Sequence, residues 1–227
     1  MCARYSLTTP AEAVRAFFKA PSVEDFPPRY NIAPSQPVLI ARNDVHNRPE
    51  LQLVRWGLIP SWLKDPKSLG SPRINARAET ASEKPAFRGA MRHRRCLVPV
   101  TGFYEWTGNR KARQPHLIRM KDQELFALAG IWEDWLGADG SQIETMAILT
   151  TAANDEMARL HDRMPVIIES AHFDRWLDCR PGTAEVVLDL LQPLRAGRLT
   201  TTPVNRKLND ARAEGPELQE PEFLTLL

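Results

Sequence analysis

The 227-residue chain has only three cysteines, Cys2, Cys96 and Cys179, and they lie far apart in the sequence. An odd, widely spaced set argues against a disulfide framework. Neither C-x-x-C nor H-E-x-x-H occurs, and the five histidines are scattered, so we expect no metal site. The glycine-rich loops that bind nucleotide phosphates are also absent from the sequence, and we expect no cofactor.

Long apolar runs and a strong charge bias are missing as well. No stretch approaches the roughly 18 apolar residues of a membrane-spanning helix, and Arg4 interrupts any signal-peptide layout. We therefore expect a cytoplasmic protein, nucleoid-associated when bound to DNA. Thirty Lys and Arg residues nearly balance 28 Asp and Glu residues. Any nucleic-acid contact must therefore come from a local group of arginines.

Glycine is sparse (11 residues) and proline is common (19 residues), which indicates many fixed turns and few long regular elements. A T-x-x-E capping box from Thr9 to Glu12 predicts a helix over 9–20, and a second helix is expected within 76–91. Short apolar runs separated by turn residues predict strands, chiefly over 38–42, 51–56, 96–100, 103–106, 116–120, 125–132 and 145–149.

The predicted strands and helices are mixed without a regular βαβ repeat, internal repeat or linker. This pattern favours one α+β domain over residues 1–227, with a mostly antiparallel, barrel-like β core and flanking short helices. The segment from about residue 214 is acidic and contains proline. We expect it to form a loosely held C-terminal tail.

Cys2 is the most informative residue, because only the initiator methionine precedes it. Removal of Met1 leaves an α-amine with a pKa of about 8 beside a thiol with a pKa of about 8.5. Such an amine forms a Schiff base with an aldehyde, and the neighbouring thiol then closes a five-membered thiazolidine ring. The alternative is that Cys2 is an incidental residue of a frayed terminus.

Other candidate residues also have ordinary structural explanations. Asn75 is a suitable cap for a helix that begins near Ala76. Glu105, within a strand-like run, would point to solvent in most proteins, but its position between Tyr104 and Trp106 is also compatible with partial burial and a raised pKa. His161 ends a predicted short helix over 154–161 and suits the negative end of its dipole. The remaining candidates read as surface arginines or as a core tryptophan, and they are Arg4, Arg77, Arg163 and Trp62.

Six motifs nevertheless occur in a fixed order along most of the chain. They are M-C-x-R at 1–4, N-x-A-P at 31–34, W-G-x-x-P-x-W at 56–62, I-N-A-R-x-E-T at 74–80, G-x-x-E-W at 102–106 and H-D-R-M-P at 161–165. No single motif is specific, but the ordered combination is. From Met1 to about Val204 the sequence resembles the SRAP family, which comprises SOS-response-associated peptidases, or abasic-site-processing proteins.

The resemblance implies an enzyme that removes its own Met1 and captures abasic sites in single-stranded DNA. The Cys2 amine and thiol would form a stable thiazolidine with the ring-opened sugar, and abasic-site lyase activity would accompany capture. By motif match, Asn75 would hold the N-terminus or the sugar hydroxyls. Glu105 and His161 would move protons during imine formation and ring closure.

The resemblance also implies a DNA-binding surface without a metal, a cofactor or a membrane, on a protein expected to be a monomer. Arginine forks suit phosphate, and aromatic rings stack on bases. The residues assigned to DNA are Arg4, Pro34, Trp62, Arg77, Thr150 and Arg163. Two departures from the family pattern are Ala3, where glycine is common, and the Trp62-Leu63 pair, which is followed by a longer loop to Arg73.

Two alternatives remain open from sequence. An N-terminal-cysteine amidohydrolase would also use Cys2, with the α-amine as general base, but would pass through a thioester. A binding module that only recognises single-stranded DNA or a modified base would keep its affinity after Cys2→Ala and form no covalent product.

Overall fold

Five strands rich in apolar residues close on one another to form a barrel at the centre of the protein. The computed structural model describes residues 2–109 and 112–222. In chain order the strands are β1 (Tyr5–Leu7), β2 (Arg29–Ile32), β3 (Pro37–Asn43), β4 (Pro49–Trp56), β5 (Asn75–Arg77), β6 (Arg95–Val100), β7 (Gly102–Thr107), β8 (Gln114–Met120), β9 (Phe126–Leu136), β10 (Gln142–Ala152), β11 (Arg163–Pro165), β12 (Ile167–Ile168) and β13 (Leu199–Pro203).

The helices are short and lie between strands. The α-helices are α1 (Ala11–Phe18), α2 (Ala78–Ala81), α3 (Arg88–His93) and α4 (Phe173–Leu177). Segments of 3₁₀-helix occupy Pro66–Leu69, Met157–Arg159, Ser170–His172, Glu185–Leu191, Arg206–Asn209 and Pro216–Gln219. Within the described residues, no helix is both long and apolar enough to cross a membrane.

The barrel has the strand order β10-β4-β3-β6-β9, and β9 pairs with β10 to close the ring. Neighbours are antiparallel except β4 and β10, which run parallel at Arg55–Trp56. Strand β10 continues beyond the ring, where it pairs with β5 and β11. These two short strands bring the 75–77 and 163–165 motifs to one end of β10.

A second sheet has the order β13-β8-β7-β1-β2 and is antiparallel throughout. It places the N-terminal segment beside β7, with Tyr5 opposite Phe103. Phe103 belongs to the main core, whereas Tyr104 packs in a smaller cluster with Val204 and Leu208. The expected single α+β domain with a largely antiparallel barrel is therefore confirmed.

The expected capping box is wrong. Helix α1 begins at Ala11, its N-cap is Pro10, and no side chain caps it. The Pro10 carbonyl accepts the amides of Ala13 and Val14, while Glu12 pairs with Arg15 instead of reaching back. Thr9 therefore lies one residue before the capping position, and its buried hydroxyl has no hydrogen-bond partner among the described residues.

The expectation of a loose tail from about 214 is wrong for residues 214–222. Leu218 is fully buried, Gln219 donates to the Tyr104 hydroxyl at 2.7 Å, and the Glu214 carboxylate accepts the Tyr30 amide at 3.0 Å. An acidic, proline-containing composition does not reveal these long-range contacts. Residues 223–227 of the predicted tail lie outside the described residues.

Close packing in the barrel gives a test of the fold. A Cβ on Gly130 would lie 2.8 Å from the Cys96 sulfur and 3.2 Å from Val98 Cγ2. Gly130→Ala should therefore lower the free energy of unfolding by about 1–3 kcal/mol in urea titrations. Gly89→Ala, in α3 with open space around its Cβ, is the control. It should be neutral or stabilise by up to about 1 kcal/mol, and equal effects of the two variants would contradict the barrel packing.

Candidate active site at the N-terminus

Cys2 is enclosed by the protein. Its exposed fraction is 0%, and its thiol lies 3.8 Å from the Arg4 carbonyl oxygen. The amide of Tyr104 on β7 donates to the same Arg4 carbonyl at 3.0 Å. The second sheet therefore fixes the backbone just after Cys2. The interpretation of Cys2 as a frayed terminal residue does not fit this burial.

Asn75 connects Cys2 to the barrel. It begins β5, which pairs in parallel with β10 so that Asn75 lies opposite Ile148. Its Nδ2 donates to the Cys2 carbonyl oxygen at 2.9 Å. Its Oδ1 is buried and has no hydrogen-bond partner among the described residues, so an acceptor is available beside Cys2. The helix-cap explanation is wrong, because α2 begins only at Ala78 and Arg77 is its N-cap.

Glu105 lies on β7 and is 4% exposed, so it does not point to solvent. Burial raises the pKa of the Cys2 thiol far above its usual range, and the charge of Glu105 raises it further. The carboxylate is therefore within electrostatic reach of the sulfur. At neutral pH the thiol of this enclosed Cys2 is protonated, and its reaction requires a group that accepts the proton.

His161 follows the Met157–Arg159 turn and precedes β11, and 31% of its side chain is exposed. Its Nδ1 accepts the Arg163 amide at 2.9 Å and lies 2.7 Å from the Asp162 carboxylate. These contacts stay within one loop, and no hydrogen bond among the described residues joins His161 to Cys2.

The cations assigned to DNA differ in their surroundings. Arg77 is exposed and lies opposite Thr150, which is fully buried. The guanidinium of Arg163 makes a two-point ion pair with Glu79 at 2.6 and 2.8 Å and lies 3.4 Å from the Thr150 hydroxyl. Hydrogen bonding from Arg163 lowers the pKa of Glu79. In this structure Thr150 contacts Arg163 and has no exposed surface.

Arg4 contacts β2 and the segment that follows β13. Its Nη1 donates to Asn31 Oδ1 at 2.6 Å and to the Leu208 carbonyl at 3.2 Å. Its guanidinium carbon also lies 5.9 Å from the Trp106 ring centroid. Burial lowers the pKa of Arg4, and the charge of Arg113 acts in the same direction.

Trp62 and Pro34 lie in loops outside the two sheets. Trp62 is 59% exposed, so its interpretation as a core residue is wrong, and its indole nitrogen is 3.4 Å from the Pro85 carbonyl oxygen. Pro34 is half-buried in the turn between β2 and β3, followed by Ser35 in the left-handed region.

The structure thus brings Cys2, Asn75 and Glu105 together, and it gathers Arg77 and Arg163 at the end of β10. Residues 2–109 and 112–222 contain no cluster of three or more His, Cys, Asp or Glu suited to hold a metal. Sequence reasoning gave no role to Glu79 or Asn31, although both lie inside the quoted motifs. Their positions in those motifs were the available signal.

Two relatives of known name are similar to this chain over most of its length. The Abasic site processing protein YoqW of Bacillus subtilis is 38% identical over 224 residues, covering 97% of this chain and 99% of YoqW. The Abasic site processing protein HMCES of Gallus gallus is 30% identical over 86% of this chain and 66% of its own length.

The fold is shared with solved structures. A crystal structure of a protein from Bacteroides thetaiotaomicron superposes with a TM-score of 0.84 at 27% identity, covering 98% of this chain and all of the other. The family model described as "SOS response associated peptidase (SRAP)" matches residues 1–211. Because that match covers most of the sequence, the chain belongs to the SOS response associated peptidase family.

Proposed function

We propose that this protein captures abasic sites in single-stranded DNA through a covalent thiazolidine at Cys2. The surroundings of Cys2 carry the proposal: the residue is buried, its carbonyl is held by Asn75, and the charge of Glu105 reaches its thiol. Relatives named as abasic site processing proteins support the choice of substrate.

The first step exposes the amine. The protein hydrolyses its own Met1–Cys2 peptide bond, which consumes one water and releases free methionine. The product is a primary amine on the same carbon skeleton as the thiol. Asn75 is suited to hold this new terminus, because its Nδ2 already binds the Cys2 carbonyl and its buried Oδ1 can accept an ammonium hydrogen.

Capture then proceeds by two bond-forming steps. The Cys2 amine attacks the aldehyde carbon of the ring-opened sugar, and loss of one water gives an imine. The thiol sulfur adds to the imine carbon, and the thiol proton ends on the nitrogen. The closed thiazolidine contains every atom of both partners except that one water.

Glu105 and His161 are the proposed proton-transfer residues. Glu105 accepts a proton from the amine or the thiol, because the protonated thiol needs a nearby base. His161 donates a proton to the sugar oxygens, because its partly exposed imidazole lies in the loop just before β11. If the imine instead loses a proton from the sugar, β-elimination cleaves the strand, which is the proposed lyase side reaction.

The DNA backbone is held by arginines at the end of β10. Arg77 is exposed and binds phosphate directly, whereas Arg163 exchanges its ion pair with Glu79 for a phosphate. Thr150 orients Arg163. Trp62 stacks on a neighbouring base and Pro34 wedges beside the lesion, where no base has to be unstacked.

Replacement of Cys2 tests the covalent chemistry. Cys2→Ala keeps an α-amine but lacks the thiol, so it should form no heat-stable adduct while still nicking abasic DNA slowly. Denaturing gels with an abasic single-stranded oligonucleotide provide the measurement, and Cys179→Ala should retain the adduct. A heat-stable adduct with Cys2→Ala would contradict the thiazolidine, and turnover of an amide without any DNA adduct would favour the amidohydrolase.

Replacement of the proton-transfer residues should slow adduct formation without removing the reacting groups. Glu105→Gln and His161→Gln should each lower the first-order rate at saturating DNA by roughly 10²–10⁴, the usual loss of general acid–base help. Rapid-quench sampling resolved on gels measures this rate. His172→Gln is the matched control and should react like wild type; rates of Glu105→Gln or His161→Gln within threefold of wild type would remove that residue from the mechanism.

The phosphate contacts predict a modest salt dependence. In a Cys2→Ala background, encounter affinity measured by fluorescence anisotropy should fall with salt, with a log–log slope of about −0.7 per neutralised phosphate. Arg77→Gln and Arg163→Gln should each reduce the slope by about that amount. Arg48→Gln, in the turn between β3 and β4 and paired with Asp44, should leave it unchanged. If both Arg77→Gln and Arg163→Gln keep the wild-type slope, the DNA backbone does not bind at the end of β10.

A further inference from the structure

A buried asparagine joins the two ends of the described chain. Asn31, on β2, is 2% exposed. Its Oδ1 accepts a hydrogen bond from Arg4 Nη1 at 2.6 Å. Its Nδ2 donates to the carbonyl oxygens of Asp210 at 2.9 Å and Ala213 at 2.8 Å. Both ends of the amide are therefore used, and the orientation of the group is fixed by its partners.

The hydrogen bonds of Asn31 connect the reactive N-terminal segment to a rigid C-terminal segment. We call residues 2–4 the N-terminal arm and residues 205–221 the C-terminal strap. Arg4 also donates to the strap at Leu208. The strap is anchored to β7 because the Trp106 indole donates to Asn209 at 2.7 Å, and Gln219 donates to the Tyr104 hydroxyl at 2.7 Å. The arm is thus tied to a segment that β7 already holds.

We infer that Asn31 is a positioning residue that holds Cys2 in its reactive geometry by binding Arg4 to the strap. The inference rests on the proposed function. Asn75 contacts the arm from the barrel side at Cys2, and Asn31 contacts it through the side chain two residues later. Two anchors on opposite elements restrain the arm in a way that one hydrogen bond cannot.

The chemical demand on this arm explains why two anchors matter. Terminal residues fray unless they are tied down, and a displacement of about 1 Å at a reacting group costs on the order of 10² in rate. An alanine at position 31 would leave the Arg4 guanidinium and two strap carbonyls without their common partner. The arm would then sample positions in which the Cys2 amine and thiol miss the aldehyde.

A rival explanation assigns Arg4, and through it Asn31, to phosphate binding. The two roles differ in what they change. A phosphate ligand alters encounter affinity and its salt dependence. A positioning residue alters the rate of the bound complex and the protection of the Cys2 thiol, while the salt slope stays the same.

The test compares Asn31→Ala with Gly130→Ala, which lowers stability inside the barrel and removes no hydrogen bond of the arm. At saturating abasic DNA, Asn31→Ala should form the adduct about tenfold or more slowly, with an unchanged salt slope. Without DNA, iodoacetamide should alkylate Cys2 of Asn31→Ala about tenfold faster than Cys2 of wild type. Peptide mass mapping measures this alkylation. Gly130→Ala should match wild type in both assays. If Asn31→Ala does not fold, Arg4→Lys provides a second variant. It keeps the charge but removes the planar guanidinium whose Nη1 donates to both Asn31 and Leu208, and it should give the same two changes.

Three results would overturn the inference. The first is that Asn31→Ala forms the adduct and is alkylated at rates within twofold of wild type. The second is that Gly130→Ala slows adduct formation as much as Asn31→Ala does. The third is that Asn31→Ala lowers the salt slope but leaves the adduct rate at saturating DNA unchanged. The proposed function has a separate failure. If wild type forms no adduct, the function is wrong, whereas the alkylation comparison still decides whether Asn31 holds the arm.

Discussion

The hydrogen bond from Asn75 to the Cys2 carbonyl is the contact on which the site depends, because it joins the two sheets of the protein. Asn75 belongs to β5 and is fixed on β10 of the barrel. Cys2 leads into β1 of the second sheet, where β7 carries Glu105. A terminal residue normally has a mobile backbone. Here the Cys2 carbonyl is paired at 2.9 Å, so a short chain end becomes a defined part of an interior site.

Burial gives this site both its protection and its requirement for proton transfer. A thiol enclosed beside a carboxylate stays protonated at neutral pH, since burial and the charge of Glu105 both raise its pKa. Such a thiol is protected from oxidation and unspecific alkylation, but it is a poor nucleophile. The proposed order of events suits these properties. The amine reacts first, and the thiol is needed only once an electrophilic imine lies beside it and Glu105 can accept the proton.

The sequence predicted the elements that depend on local patterns and missed those that depend on distant partners. Apolar runs and turn residues indicated most barrel strands, and the ordered motifs singled out Cys2, Asn75 and Glu105. The helix-cap interpretation of Asn75 failed because strand pairing with β10 governs residues 75–77. The segment from about residue 214 looked loose because its composition is acidic and contains proline. Its Leu218 and Gln219 are in fact stabilised by β7, more than a hundred positions earlier. Local composition carries no information about such contacts.

The most direct test of the central claim is the intact mass of the protein before and after reaction with an abasic single-stranded oligonucleotide. The account predicts a protein lacking Met1 before reaction. After reaction it predicts a single species equal to that protein plus one oligonucleotide minus one water. Retention of Met1 together with no mass increase would contradict the account, and so would an adduct on a peptide that does not contain Cys2.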